Sequence, residues 1–148
     1  MNAFKMRVIK HVMEHVRTNG KNTITPRLFI KTKIDRYKIL ILPDVFFEDV
    51  RTRDAAKYAI QYINNNTNTE FCCFVSEARM GKIELSEDGK SVKKEVMFDG
   101  VTLVFQGIDE KRSSVMAFTI EDDDTITPMI TGNEDTAGEF ESPFKHLF

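Results

Sequence analysis

The pattern His11-Val12-Met13-Glu14-His15 carries the most defined chemistry in this 148-residue chain. Two histidines four residues apart lie one helical turn from each other, where both rings could ligate zinc. The glutamate between them could activate a metal-bound water, as in the inverted zinc-hydrolase motif H-x-x-E-H. On a helical wheel of ~100° per residue, His11 and His15 fall beside Phe4 and Val8 at the edge of an apolar stripe, while Glu14 sits well round towards Arg7 and Lys10. A distant third ligand could be Glu77, Glu84 or Glu95, but nothing in their surroundings singles one out. Boundary histidines on a packed helix are the simpler reading. A zinc hydrolase using His11, Glu14 and His15 is therefore the third reading, behind an interaction module and a nucleic-acid accessory, and no metal, cofactor or catalytic residue is expected.

The other chemistry-bearing residues also have plain structural explanations. Glu77 and Arg79 share one face of a strand, and Cys72, Phe74, Ser76, Ala78 and Met80 share the other, which is expected to face the core. Lys94 and Glu95 on a neighbouring strand could join Glu77 and Arg79 in an acid/base cluster, though cross-strand ion pairing accounts for the same residues. Asp122-Asp123-Asp124 lacks the ligand order and glycine of a calcium loop and reads as a solvated turn. Cys72 and Cys73 are adjacent, point to opposite faces and are poorly placed to bridge each other. No glycine-rich phosphate loop is present.

Charge is distributed unevenly along the chain. The formal net charge is only −2, yet residues 1–38 hold ten Lys/Arg against Glu14 and Asp35, a net of +8, and residues 121–148 carry a net of −7. The basic quarter could contact phosphates through Lys10, Arg17, Lys31 and Lys33, with Tyr37, Phe46 and Phe47 as stacking surfaces. The acidic end is unusual in crowding Phe140, Phe144, Leu147 and Phe148 into the last nine residues. These four are the expected partner-binding residues, engaging either the chain's own domain, a second copy, or a foreign groove. The ending is similar to the Leu-Phe-terminated peptides that enter sliding clamps and to the acidic, Phe-terminated tails of single-strand-binding proteins. It lacks the leading Gln of the clamp peptides, and Lys145 and His146 interrupt its acidity.

The elements that must position these groups follow from periodicity. Phe4, Val8, Ile9, Val12, Met13 and Val16 predict a helix over 3–18, with Asn2 able to cap it and Asn19-Gly20 ending it. Strands are expected over 27–33 and 37–42, joined as a hairpin through Ile34-Asp35-Arg36. A second helix is expected over 52–64, capped by Thr52, with Ala56, Ala59, Ile60 and Ile63 turned inward. From Glu70 the period changes to two, predicting strands over 71–82, 93–106, 114–120 and 125–130. The segment 93–106 either runs through Asp99-Gly100 or folds there into a hairpin. The order lacks βαβ alternation, so the expected class is α+β: an N-terminal helix, a hairpin, a second helix, then antiparallel strands in one sheet with the helices on one face.

Phe74-Val75-Ser76-Glu77-Ala78-Arg79, followed by Lys93-Lys94-Glu95-Val96, resembles small bacterial and phage proteins of unknown function that share a Ser-Glu-Ala strand and a later basic-Glu strand. The likeness covers the middle third of the chain, with Arg79 where such proteins often carry Trp, and implies architecture and a phage or mobile-element origin. With 41% hydrophobic residues and no apolar run long enough to span a bilayer, the chain is expected to be a soluble cytoplasmic protein, in the host cytoplasm if phage-encoded. Residues 1–130 are expected to form one α+β domain and 131–148 an acidic extended tail. The expected function is a non-enzymatic protein–protein interaction or accessory role, through a protein partner or self-association and away from membranes. A nucleic-acid-associated replication accessory is the runner-up.

Overall fold

A computed structural model describes residues 1–128 and 146–148, with Met80, Lys82 and Val96 described by backbone alone. Phe140, Phe144 and most of the expected acidic tail lie outside the described residues. Helix α1 (Asn2–Asn19) buries Phe4, Val8, Val12 and Val16, an i, i+4 ridge on one side. It starts from Met1 with no side-chain cap, so Asn2 lies within the helix instead of capping it. It stops at Gly20, whose φ of +80° suits a residue without Cβ and whose N–H reaches Val16 O at 2.7 Å. Strands β1 (Arg27–Thr32) and β2 (Tyr37–Ile41) form the expected hairpin. A 3-10 turn (Asp44–Phe47) leads to α2 (Val50–Asn66), which begins two residues earlier than expected. Asp49, not Thr52, is its cap: the Asp49 carboxylate accepts from Thr52 N, and Thr52 Oγ1 accepts from Asp49 N, a reciprocal capping box.

Strands β3 (Thr69–Leu85), β4 (Val92–Gly107), β5 (Ser114–Ile120) and β6 (Ile126–Pro128) complete a six-stranded antiparallel sheet in the order β2-β1-β3-β4-β5-β6. The fold is α+β. Strand β4 passes straight through Asp99-Gly100, with Gly100 paired to Ala78 on one side and Thr119 on the other. The turn between β3 and β4 lies at Asp88-Gly89, where the polar sequence predicts it, and Gly89 takes a φ of +69°. Beyond Ala78 and Gly100 the β3–β4 pair continues as a two-stranded ribbon with Ile83, Leu85, Val92 and Met97 exposed.

The helices lie on opposite faces of the sheet, which corrects the one-face expectation. Under α1, its four-residue ridge packs on Phe29, Cys73, Val75, Val101, Leu103 and Phe105. Under α2, Ala56 and Ile60 pack with Leu28, Ile30, Cys72, Phe74 and Val104. The core is thus not confined to the even-numbered face of β3. Cys72, Cys73, Phe74 and Val75 are all at most 3% exposed, because a strand covered on both faces needs a continuous apolar run and not an alternating one. The free cysteines sit one in each core. Burial in apolar surroundings pushes the Cys72 thiol up to about 12 and that of Cys73 up as well. Among the described residues, no helix is long and apolar enough to cross a membrane.

Candidate functional site

Among the described residues, sheet order leaves β2 as an edge, and its hydrogen bonding decides what that edge offers. Thr32 N donates to Arg36 O at 2.8 Å and Leu42 N donates to Pro26 O at 2.9 Å, so the even-numbered residues of this stretch turn their backbone groups towards β1. In an antiparallel strand the alternate residues must then aim outward, so Tyr37, Ile39 and Ile41 direct their N–H and C=O groups away from the sheet. The same three residues place their side chains on the α1 face and stay 39%, 44% and 57% exposed. Edge strands are usually blunted by charge, proline or a bulge. Here the strand's one charged residue, Lys38, alternates onto the other face.

Between α1 and β2 runs a groove of about 980 Å³, lined by Met6, Lys10 and His11 of α1, Phe29 of β1, and Tyr37 and Ile39 of β2. The Arg7 guanidinium lies over the Tyr37 ring at 3.9 Å, a cation–π contact that ties the outer flank of the helix to the edge strand. Arg7 and Lys10 make the groove wall basic, with Glu14 as its acidic residue, and Lys33, Arg36 and Lys38 add positive charge at the hairpin and on the strand's other face. Asp35 is engaged by Lys31 at 3.0 Å.

The expected nucleic-acid set does not form one patch. Lys10 and Arg17 are exposed on the same flank of α1, and Lys33 is exposed at the hairpin. Lys31 is tied to Glu70 at 2.6 Å as well as to Asp35, pairs that hold its pKa above the usual lysine value. Of the proposed stacking residues, Tyr37 lines the groove, whereas Phe46 and Phe47 pack on the α2 core and Phe47 stacks on Phe74.

The histidine motif is drawn into the fold. His15 Nε2 lies 3.2 Å from both Thr23 O and Thr23 Oγ1, fastening the helix to the following loop. His11 sits edge-on to Phe29 at 4.9 Å, with Nε2 enclosed and, among the described residues, without a hydrogen-bond partner. Burial, reinforced by the nearby Arg27 charge, holds the His11 pKa below its ordinary value. Among the described residues, no group of three or more His, Cys, Asp or Glu is placed to hold a metal.

Glu77 has a different role from the expected cluster. Its carboxylate accepts three consecutive backbone N–H groups, from Asn22 (2.7 Å), Thr23 (3.1 Å) and Ile24 (2.9 Å), stapling the α1–β1 connection to β3. Lys94 and Glu95 are opposite Glu84 and Ile83, six or more positions further along the ribbon, and Arg79 is opposite Asp99. In the acidic turn, Asp122 pairs with Lys21 at 2.8 Å and Asp123 accepts from Thr125, so the N- and C-terminal charge blocks meet there.

Of the expected partner-binding residues, Leu147 is fully buried in the α2 core and Phe148 packs against it. The 146–148 segment therefore docks on its own domain. No protein-family model matches the chain, and no curated protein or solved structure shows significant similarity to it.

Proposed function

We propose that the protein is a non-enzymatic interaction module that takes up an extended partner peptide along β2, as a seventh strand of the sheet. The supporting observation is the coincidence of outward backbone groups and exposed side chains at Tyr37, Ile39 and Ile41, beside an apolar groove. Main-chain pairing supplies affinity in this mode, and alternate side chains entering the groove supply selectivity. The surrounding Arg7, Lys10, Lys33, Arg36 and Lys38 favour a peptide that alternates apolar with acidic residues.

Titration of the isotope-labelled chain with such a peptide of about eight residues tests this reading. Amide shifts are expected at Tyr37, Ile39, Ile41, Arg7 and Lys10, weakening in high salt. Ile39→Pro should abolish them while preserving the fold, since it removes a donor that bonds nothing among the described residues of the sheet. Shifts elsewhere or none at all would overturn the reading. Preferential binding of an oligonucleotide, with a steep loss of affinity in salt, would replace it with the nucleic-acid reading.

A further inference from the structure

On the opposite face of the sheet, the cleft between α2 and strands β3 and β4 is built around the backbone of a segment remote from it in sequence. Gln106 Oε1 accepts the Leu147 N–H at 2.5 Å, Asn64 Nδ2 donates to Leu147 C=O at 2.5 Å, and Gln61 Nε2 donates to His146 C=O at 3.3 Å. Asn64 and Gln106 are only 1% and 3% exposed. A buried carboxamide is costly unless its hydrogen bonds are made, and the Leu147 peptide groups make one with each. The Gln106 amide is also held independently of that segment, by Ser113 Oγ at 3.1 Å and by its own bond to Glu110 O at 3.0 Å. Among the described residues, Asn64 Oδ1 is buried without a partner. The Leu147 side chain fills an apolar socket that includes Leu28, Ile60, Phe74 and Val104. Oriented amides flanking an apolar socket are the parts of a peptide-binding site.

We propose that this cleft is a receptor for Leu-Phe segments of the 146–148 type, and that it accepts that segment from a second copy of the chain as well as from its own. Seventeen residues separate Pro128 from His146. Extended, they span roughly 55–60 Å, whereas six strands at ~4.8 Å spacing set the outermost strands only ~24 Å apart. The connection can therefore reach a neighbouring molecule's cleft. A second copy supplies a ligand of identical chemistry, and exchange of like for like is a low-cost route to dimers.

The test uses full-length chains and a fluorescent peptide of residues 141–148. Leu147→Ala, with its own segment disengaged, should bind the peptide at least tenfold more tightly than the wild type does, and a peptide carrying Ala at 147 should not bind. A folded Leu147→Ala chain that ignores the peptide, or binding indifferent to that leucine, would overturn the receptor assignment. If that variant does not fold, the wild type still answers. Cys72 lies in this cleft, bridged to Leu147 by Asn64, while Cys73 lies in the other core. Thiol labelling localised by tandem mass spectrometry should modify Cys72 at least tenfold faster than Cys73, and excess peptide should slow it. Equal rates, or no effect of peptide, would overturn the assignment. Sedimentation should show a dimer fraction that rises with concentration in the wild type and is absent in Leu147→Ala. A wild type that stays monomeric, or a dimer unaffected by the substitution, would overturn exchange with a second copy. Neither result bears on β2, which occupies another part of the sheet.

Discussion

Replacing Glu77 by Gln should destabilise the protein by about 2–3 kcal/mol. Each bond from a backbone N–H to an ionised carboxylate contributes roughly 1.5–3 kcal/mol net, and Glu77 accepts three, two at Oε1 and one at Oε2. The amide retains one carbonyl oxygen, enough for Thr23 and Ile24 without the assistance of the charge. Its NH2 group then meets the Asn22 N–H, donor against donor. The loss reaches Arg27 as well, which is 7% exposed and whose charged form Glu77 favours. For a chain of this length a loss of 1 kcal/mol lowers the melting temperature by roughly 2–4 °C, so Glu77→Gln should melt about 5–10 °C lower. Hydrogen exchange should accelerate selectively at the amides of Asn22, Thr23 and Ile24. Arg79→Gln, exposed two residues along the same strand, should change melting by about 1 °C or less. A Glu77→Gln protein that melts with the wild type, with exchange at the three amides unaltered, would refute the staple.

Acidification should act first through His11. Its folded-state pKa lies below its ordinary value, so the unfolded chain takes up the proton first and stability falls as pH drops below ~6.5. Melting temperatures between pH 7.5 and 5 should show this decline, and His11→Leu should flatten it. Asp49→Ala should cost ~1 kcal/mol through loss of the α2 cap, read as a fall of roughly 2–4 °C in the melt.

The helices were the most legible part of the fold. The i, i+4 ridge Phe4-Val8-Val12-Val16 is a local pattern, and the structure buries all four residues. What failed was face assignment. Strict alternation through Cys72-Cys73-Phe74-Val75 gives one buried and one open face, whereas a run without polar interruption signals cover on both sides. Thr52, at the start of the expected 52–64 helix, has the type of a cap, while Asp49, three positions earlier, forms the reciprocal pair with it. Glu77 stood out by type, but its partners lie 53 to 55 residues away in a loop, and no local periodicity encodes that distance. The candidate site was hidden for a related reason. Tyr37, Ile39 and Ile41 read as an ordinary strand, and only the order of strands makes that strand an edge. The cluster of aromatics near Leu147 did signal docking, while the cleft that receives it is assembled from Asn64 and Gln106 on different elements.

The strand order also has a kinetic consequence. Among the described residues, four of the five strand pairings join neighbours in the sequence, as in a meander. The exception is β1 with β3, which brings together Thr32 and Thr69 at one end and Arg27 and Val75 at the other. Loop-closure entropy must be spent before such contacts give any return, so this one pairing carries the largest entropic cost among the sheet contacts. The strands from β3 to β6 can assemble by successive short closures, whereas β1 and β2 must arrive across the whole of α2. Substitutions in the β3–β4 register should therefore speed unfolding more than they slow folding if that register forms late, and do the reverse if it forms first. The topology favours the second order, with the β1–β3 seam closing last and setting the folding rate.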